Sequence, residues 1–155
     1  SDLDHFAILK VGPGLTFALR EALWALDAIE REWIAADQRA GLRAIAVERM
    51  RAAPGYWQRY YHATGRELAT DLEYSLSDRI RYYWPDPEIE AARARLFDNL
   101  RRDPPPLPLV GQYLPHALHA VRTGTATLDP QSLALAHISA VLDDYHHACH
   151  DHDPS

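Results

Sequence analysis

The sequence predicts a mostly α-helical fold that begins with one strand–helix unit, and three observations support this prediction. Apolar residues recur every three to four positions through most of the chain, the spacing of a helix that buries one face. Prolines and glycines divide the chain into segments of helical length. A short, continuous apolar run of the kind typical of a buried strand is found at Phe6–Val11.

The N-terminal unit consists of Phe6–Val11, a Gly-Pro-Gly turn at residues 12–14, and a helix predicted over Thr16–Asp37. The Thr16 hydroxyl is predicted to cap this helix. A buried strand needs neighbours for its backbone N–H and C=O groups, but no later part of the sequence has a convincing strand pattern. It follows that Phe6–Val11 is not a strand, or that its sheet lies outside this chain.

Three helices are predicted in the middle of the chain. They are Arg39–Ala52, a short aromatic helix at 56–61 that ends before Gly65, and Glu67–Tyr83. A fourth, Pro87–Arg102, has the clearest start signal, because the Asp86 carboxylate can cap a helix whose first residue is a proline. The prolines of Asp103–Leu109 predict an extended segment, since proline lacks the backbone N–H that a regular helix or ladder uses.

The last part of the chain is predicted to hold two more helical segments. Val110–Arg122 is expected to be helical with an interruption near Pro115, and Gly124 is expected to end it. Asp129 and Pro130 mark the start of a final helix that runs to about Cys149.

Composition excludes several classes of protein. The chain of 155 residues is 47% apolar and 25% charged, which is typical of a globular domain. The net charge of −6 argues against a nucleic-acid partner, because phosphate contacts require a basic face. There is no run of eighteen apolar residues, so no membrane partner is expected. The single cysteine, Cys149, fits a reducing, cytoplasmic setting. Because Ser1 stands first, we expect a piece of a longer chain.

Five aromatic-rich blocks carry a resemblance to a known family. In chain order they are FAILKVGPGLTFALREALWALDAIEREW, YWQRYYHATG, YSLSDRIRYYWPDP, LVGQYLPHALHAVRTG and HISAVLDDYHHAC. From Asp4 to Cys149 the chain resembles the C-terminal part of the non-catalytic subunits of class II D-tagatose-1,6-bisphosphate aldolase. Proteins of this family have also been described as tagatose 6-phosphate kinases.

The resemblance implies a fold, because class II aldolases are (β/α)8 barrels. Phe6–Val11 would be the last barrel strand, and residues 1–37 the last βα unit of an incomplete TIM barrel. Residues 38–155 would be a helical C-terminal extension. The seven other strands would precede this chain.

The resemblance also implies a function: an accessory, stabilising subunit in the breakdown of galactitol or N-acetylgalactosamine. Its partner would be a catalytic aldolase subunit, or the chain would self-associate. No cofactor is expected in this segment, although zinc is expected in the catalytic partner, where a Lewis acid stabilises the enediolate. The alternatives are a sugar-phosphate enzyme in its own right, aldolase or kinase, and a free-standing helical interaction module.

The first candidate site is the turn before the predicted helix. Barrel active sites lie at the C-terminal ends of strands, so the resemblance places this turn at the active-site face. Gly12, Gly14 and Thr16 are the candidate phosphate-binding residues, since backbone N–H groups at a helix start bind anions. Gly12 stands where catalytic members of the aldolase class carry an Asn, so no catalytic residue is assigned. The alternative is a plain strand–helix connection.

The second candidate site is a partner interface. It comprises Arg79, Arg81, Tyr82, Tyr83 and Trp84. Arginine and large aromatic side chains dominate interface energetics. In one alternative, Arg79 or Arg81 binds a sugar phosphate. In another, the aromatic rings pack between helices and the arginines form surface ion pairs.

The histidines suggest no metal site. His146 and His150 share a helix face near Cys149 and His152, a spacing that suits zinc or nickel, but chain ends fray, so we predict no physiological site there. Helical packing is predicted for His116, His119 and His137. No Walker A, G-x-S-x-G or G-x-G-x-x-G motif occurs, so the kinase description finds no phosphate loop here.

Overall fold

The structure, a computed structural model, describes residues 13–151, with side chains from 15 to 144. These residues form α-helices and short 3-10 helices, and no strand is found among them. The α-helices are α1 (Pro13–Trp33), α2 (Leu42–Ala52), α3 (Gly65–Tyr74), α4 (Pro87–Arg102), α5 (Leu107–Tyr113), α6 (Pro115–Arg122) and α7 (Pro130–Asp151). The 3-10 helices are Ala36–Gln38, Pro54–Tyr56 and Arg79–Tyr82. The mostly helical prediction is confirmed, whereas Phe6–Val11 and Gly12 lie outside the described residues.

Helix α1 lies at the centre of the packing. It contacts α7 most extensively, and it also packs against α5, α4 and α2. Its stripe of Leu19, Leu23, Leu26 and Ile29 is buried, and each such side chain stabilises the fold by roughly 1.5–3 kcal/mol. Because α1 shares one apolar core with the later helices, the proposed boundary at residue 37 separates helices that pack together. That boundary stays a prediction.

Helix α4 has the predicted bounds and forms the other side of the core. Leu96, Phe97 and Leu100 are completely buried, and α2 packs against this helix. The Asp86 carboxylate accepts hydrogen bonds from the backbone N–H groups of Glu88 (2.8 Å) and Ile89 (3.4 Å). The predicted cap is therefore confirmed.

The predicted bounds of the first helix were wrong. The helix begins at Pro13 rather than Thr16 and ends at Trp33, and the 3-10 helix Ala36–Gln38 follows it. Proline is favoured in the first turn of a helix because its missing N–H has no intrahelical partner there. Thr16 consequently lies inside α1 and does not cap it.

The predictions between residues 56 and 83 were also wrong. Gly65 begins α3, with a positive φ of 59°, instead of ending an aromatic helix. Helix α3 stops at Tyr74, and Ser75 after it has a non-helical ψ of 139°. Its hydroxyl accepts a hydrogen bond from the Ser77 N–H (3.1 Å). Such local side-chain bonds compete with the helix, so the predicted helix Glu67–Tyr83 does not form.

The last part follows the prediction more closely. Leu107–Tyr113 is helical although Asp103–Leu109 was expected to be extended, because a proline in the first turn is compatible with a helix start. The break at Pro115 and the end at Gly124 are confirmed. Within residues 13–151, no helix combines the length and the apolar character that crossing a membrane requires.

Candidate functional site

The N-terminal half of α1 and the loop after α3 form one polar site. Arg20 donates to the Ser75 carbonyl oxygen (2.8 Å) and to Asp78 Oδ1 (3.0 Å). The side chains of Arg20 and Asp78 are 4% and 8% exposed. Burial raises the pKa of Asp78, while Arg20 and a hydrogen bond from the Thr16 hydroxyl partly oppose this shift. A buried ion pair thus fixes the loop on α1.

A second anchor comes from the aromatic segment before α3. The Tyr61 hydroxyl donates to the Ser77 carbonyl oxygen (2.5 Å) and accepts from the Arg79 N–H (3.2 Å). Tyr61 is itself buried. The backbone of the loop is therefore held from both sides before any ligand or partner binds.

A groove of about 270 Å³ opens between α1 and this loop. We call it the Asp78 groove, and its lining residues are Thr16, Phe17, Leu76, Ser77, Asp78, Arg79 and Arg81. Of the predicted phosphate-binding residues, Thr16 lies in the groove and is buried, and Gly14 lies in the first turn of α1. Gly12 lies outside the described residues, so this site stays a prediction.

Beside the groove lies a surface of stacked arginine and tyrosine side chains. We call it the Arg–Tyr surface, and it comprises Tyr56, Tyr60, Arg79, Arg81 and Tyr82. The Arg79 guanidinium carbon lies 3.8 Å from the ring centroid of Tyr60 and 4.5 Å from that of Tyr82. Tyr56 stacks on Tyr82 with ring centroids 5.4 Å apart. The exposed fractions of Tyr56, Tyr60 and Tyr82 are 54%, 54% and 38%.

Hydrogen bonds fix the arginines of this surface. Arg79 Nε donates to the Tyr56 carbonyl oxygen (2.7 Å), and Arg81 Nη2 donates to the Tyr82 hydroxyl (2.6 Å). The bond from Arg81 lowers the pKa of Tyr82, and the charges of both arginines add to this effect. The side chains are thus ordered within the chain itself.

Two residues of the predicted interface are buried. Tyr83 donates its hydroxyl to the Ala53 carbonyl oxygen, and Trp84 packs edge-on against Trp24 with ring centroids 5.7 Å apart. Their exposed fractions are 3% and 8%. The surface part of the predicted interface therefore consists of Arg79, Arg81 and Tyr82.

The histidines lie in a separate place, between α6 and α7. His137 Nε2 lies 3.4 Å from Glu21 Oε1, and the His116 ring centroid lies 6.2 Å from that of His137. Among the side chains from 15 to 144, no group of three or more His, Cys, Asp or Glu could hold a metal ion. The tail residues His146, Cys149, His150 and His152 lie beyond these side chains.

One buried polar cluster was missed by sequence reasoning. Glu30 accepts hydrogen bonds from the Ala40 N–H (3.0 Å), the Gly41 N–H (3.2 Å) and Asn99 Nδ2 (2.9 Å). Nearby, Asp27 accepts from the Arg43 N–H (3.2 Å), and burial raises its pKa. The available signal was a pair of carboxylates within an apolar helix face. They bind the start of α2, so their role is structural.

One comparison with known proteins shows the family of this chain, and another finds a similar crystal structure. Residues 2–150 match the family model described as D-tagatose-1,6-bisphosphate aldolase subunit GatZ/KbaZ-like. The chain is also similar to a crystal structure described as a probable tagatose 6-phosphate kinase from Sinorhizobium meliloti 1021, with 42% identity and a TM-score of 0.81. That likeness covers 90% of this chain and 36% of the other protein, so this chain spans about a third of its relative. The protein therefore belongs to the D-tagatose-1,6-bisphosphate aldolase subunit GatZ/KbaZ-like family.

Proposed function

We propose that this protein is an accessory, non-catalytic subunit that stabilises D-tagatose-1,6-bisphosphate aldolase in galactitol or N-acetylgalactosamine breakdown. Its partner is a cytoplasmic class II catalytic subunit, with zinc as the metal of that partner. The parent protein carries the (β/α)8 barrel to which the helices are appended. The observation that carries the proposal is the exposed Arg–Tyr surface in a chain of an aldolase-subunit family.

The Arg–Tyr surface suits a protein partner for two physical reasons. Tyrosine and arginine are enriched among the residues that contribute most to interface affinity. Stacking and the hydrogen bond of Arg79 to Tyr56 already hold these side chains in place, so binding loses little side-chain entropy. A partner that binds only folded protein then raises the stability of the complex by mass action.

The candidate phosphate site remains part of the proposal. Gly12 precedes α1 in the sequence, and Gly14 and Thr16 lie in its first turn, where free backbone N–H groups and the helix dipole favour an anion. In an accessory subunit such a site would sense sugar phosphate without cleaving it.

A second candidate function is a sugar-phosphate enzyme, either an aldolase or a tagatose 6-phosphate kinase. The likeness to the Sinorhizobium meliloti protein, described as a probable tagatose 6-phosphate kinase, favours this candidate.

The first prediction tests the accessory role with Tyr60→Ala. The heat-inactivation half-life of a catalytic class II subunit is measured alone, with this protein, and with the variant. We expect this protein to lengthen the half-life of the catalytic subunit. The Tyr60→Ala variant should reach the same half-life only at a ~10–30-fold higher concentration, because it lacks a side chain that contributes strongly to interface affinity. Tyr74→Ala is the matched control, because Tyr74 is 44% exposed but lies outside the Arg–Tyr surface.

The same samples separate the two functions. Cleavage of D-tagatose 1,6-bisphosphate by this protein alone, abolished by EDTA, would establish the aldolase and overturn the accessory role. Phosphate transfer from ATP to D-tagatose 6-phosphate would establish the kinase. Equal loss with Tyr60→Ala and Tyr74→Ala would contradict the proposed interface.

A further inference from the structure

We propose that Tyr82 is a covalent modification site, whose hydroxyl oxygen accepts an acyl group from an activated acyl donor. This inference goes beyond the proposed function and does not depend on it. It assigns chemical reactivity to one side chain of the Arg–Tyr surface. It stands on the exposure of Tyr82, on the hydrogen bond that its hydroxyl accepts, and on the two guanidinium groups near its ring.

Tyr82 can be reached by a reagent in the free protein. It is the last residue of the 3-10 helix Arg79–Tyr82, and it is 38% exposed. Its ring stacks on that of Tyr56 with the two centroids 5.4 Å apart. The hydrogen bond at its hydroxyl lies at the protein surface, so an acyl donor in solution has access to the oxygen.

Arg81 supplies the contact that activates this hydroxyl. Its Nη2 donates a hydrogen bond to Tyr82 Oη (2.6 Å), and its guanidinium carbon lies 4.8 Å from the ring centroid. The guanidinium carbon of Arg79 lies 4.5 Å from the same centroid. A charged donor stabilises a phenolate more than a neutral phenol, so the bond from Arg81, assisted by both positive charges, lowers the pKa of Tyr82. The phenolate is the nucleophilic form of tyrosine.

The other exposed tyrosines of this surface lack such a contact. Tyr56 and Tyr60 are each 54% exposed, more than Tyr82. Within the part of the chain whose side chains are described, no group donates a hydrogen bond to the hydroxyl of either residue. Tyr113 has the opposite environment, because its hydrogen bond to Glu32 raises its pKa. Exposure and activation therefore predict different orders of reactivity.

The reaction is an acyl transfer to oxygen, for which N-acetylimidazole is the probe. The Tyr82 oxygen forms a bond to the acetyl carbon, and the bond between that carbon and the imidazole nitrogen breaks. The phenolic proton ends on the released imidazole, so no oxidant or reductant is needed. Hydroxylamine removes an acetyl group from a tyrosine oxygen, which distinguishes this product from acetylated lysine.

Acetylation of the whole protein at neutral pH tests this inference, which is the second prediction. Peptide mass spectrometry gives the rate at each tyrosine. We expect Tyr82 to react ~3–5-fold faster than Tyr60, although Tyr60 is more exposed, because an exposed charge interaction has an effect of this size. In protein unfolded with urea, the two residues should react at equal rates.

Variants assign the effect to the arginine. Arg81→Met should slow acetylation of Tyr82 to the rate of Tyr60 and leave Tyr60 unchanged, because the hydrogen bond to the Tyr82 hydroxyl is lost. Arg122→Met is the matched control, since Arg122 is exposed on α6 and should change neither rate. Circular dichroism checks that both variants fold. Tyr82→Phe should remove the fastest site.

Two results would overturn the inference. One is a rate at Tyr82 no higher than that at Tyr60, so that reactivity follows exposure alone. The other is an unchanged rate at Tyr82 in folded Arg81→Met. If that variant does not fold, the order of rates in the folded wild type, compared with the urea-unfolded protein, decides the question.

Discussion

Asp86 joins two helices through a single carboxylate. Its Oδ1 accepts from the first turn of α4, and its Oδ2 accepts from Arg49 Nε on α2 at 3.0 Å. Burial raises the pKa of Asp86, but the hydrogen bonds from Arg49, Glu88 and Ile89 outweigh it, so the pKa lies below its usual value. The folded protein therefore favours the ionised carboxylate.

The third prediction concerns Asp86→Asn. The amide oxygen still caps α4 but loses the ion pair, so we expect a loss of less than about 1 kcal/mol at pH 7. Since the folded pKa is depressed, the advantage of the wild type is complete above the unfolded pKa of 3.8 and disappears as the pH falls through the folded pKa. Urea unfolding of both proteins from pH 7 to pH 2 measures this difference. Asp98→Asn, on the exposed side of α4, is the control. If the stability difference between the wild type and Asp86→Asn does not change with pH, the depressed pKa of Asp86 is contradicted.

The contacts of single residues could be predicted where the partners are close in sequence. The cap at Asp86 was visible because its partners are two and three residues away. The pairing of Asp78 with Arg20 was not, because 58 positions separate the two residues and only tertiary packing brings them together. For the same reason, the sequence nominated Arg79 and Arg81 but could not show that they line a groove with Asp78.

Helix α6 ends in a hydrogen-bonded glycine cap. The Thr125 N–H bonds to the Ala120 carbonyl oxygen (2.8 Å), and the Gly124 N–H bonds to the Val121 carbonyl oxygen (3.2 Å). This is the Schellman pattern, which requires a left-handed residue after the helix. Gly124 has a φ of 82° and satisfies this requirement.

The fourth prediction compares Gly124→Ala with Gly55→Ala. A Cβ at either position would meet no atom within 4 Å, so sterics do not distinguish them. Only Gly124 of this pair has a positive φ, so Gly124→Ala should destabilise the protein by about 1–2 kcal/mol. Gly55→Ala should be neutral or stabilise by up to about 1 kcal/mol, because alanine restricts the unfolded chain. Equal effects in thermal unfolding would contradict this explanation.

The bounds of a helix could be predicted where the sequence carries a clear capping residue or proline at its start. Helix α4, with Asp86 and Pro87 before it, has the predicted bounds. The aromatic segment and the loop after α3 lack such signals. Their conformation depends on distant anchors such as Tyr61 to Ser77 and Tyr83 to Ala53. A helical pattern over Glu67–Tyr83 could not reveal these contacts.

The whole described region shares one apolar core, which runs from α1 to α7. Its largest completely buried side chain is Phe97, and α1 contributes Leu23, Leu26 and Ile29. Leu76, in contrast, is 88% exposed beside the Asp78 groove. The free energy of unfolding should therefore depend strongly on these buried side chains of the core and weakly on Leu76.

The fifth prediction compares Leu26→Ala with Leu76→Ala. Leu26 is completely buried, so its truncation should destabilise the protein by about 2–5 kcal/mol through lost burial and a residual cavity. Leu76→Ala should change stability by less than about 0.5 kcal/mol, as expected for an exposed side chain. Chemical denaturation of both variants measures these changes, with the free energy of unfolding fitted to one common dependence on denaturant concentration. A large loss with Leu76→Ala would mean that another molecule or another part of the chain covers this residue.

The pairing of α1 with α7 has a consequence for biosynthesis. Residues 34–129 separate these helices, yet they pack together more extensively than any other pair described. A ribosome adds ~5–20 residues per second, so α1 waits on the order of ten seconds for its main partner. During that time the part of α1 that α7 will cover remains exposed to chaperones and other nascent chains. The packing of α1 against α7 is therefore completed only after α7 has been synthesised, later than any segment of the Arg–Tyr surface, which lies between residues 56 and 82.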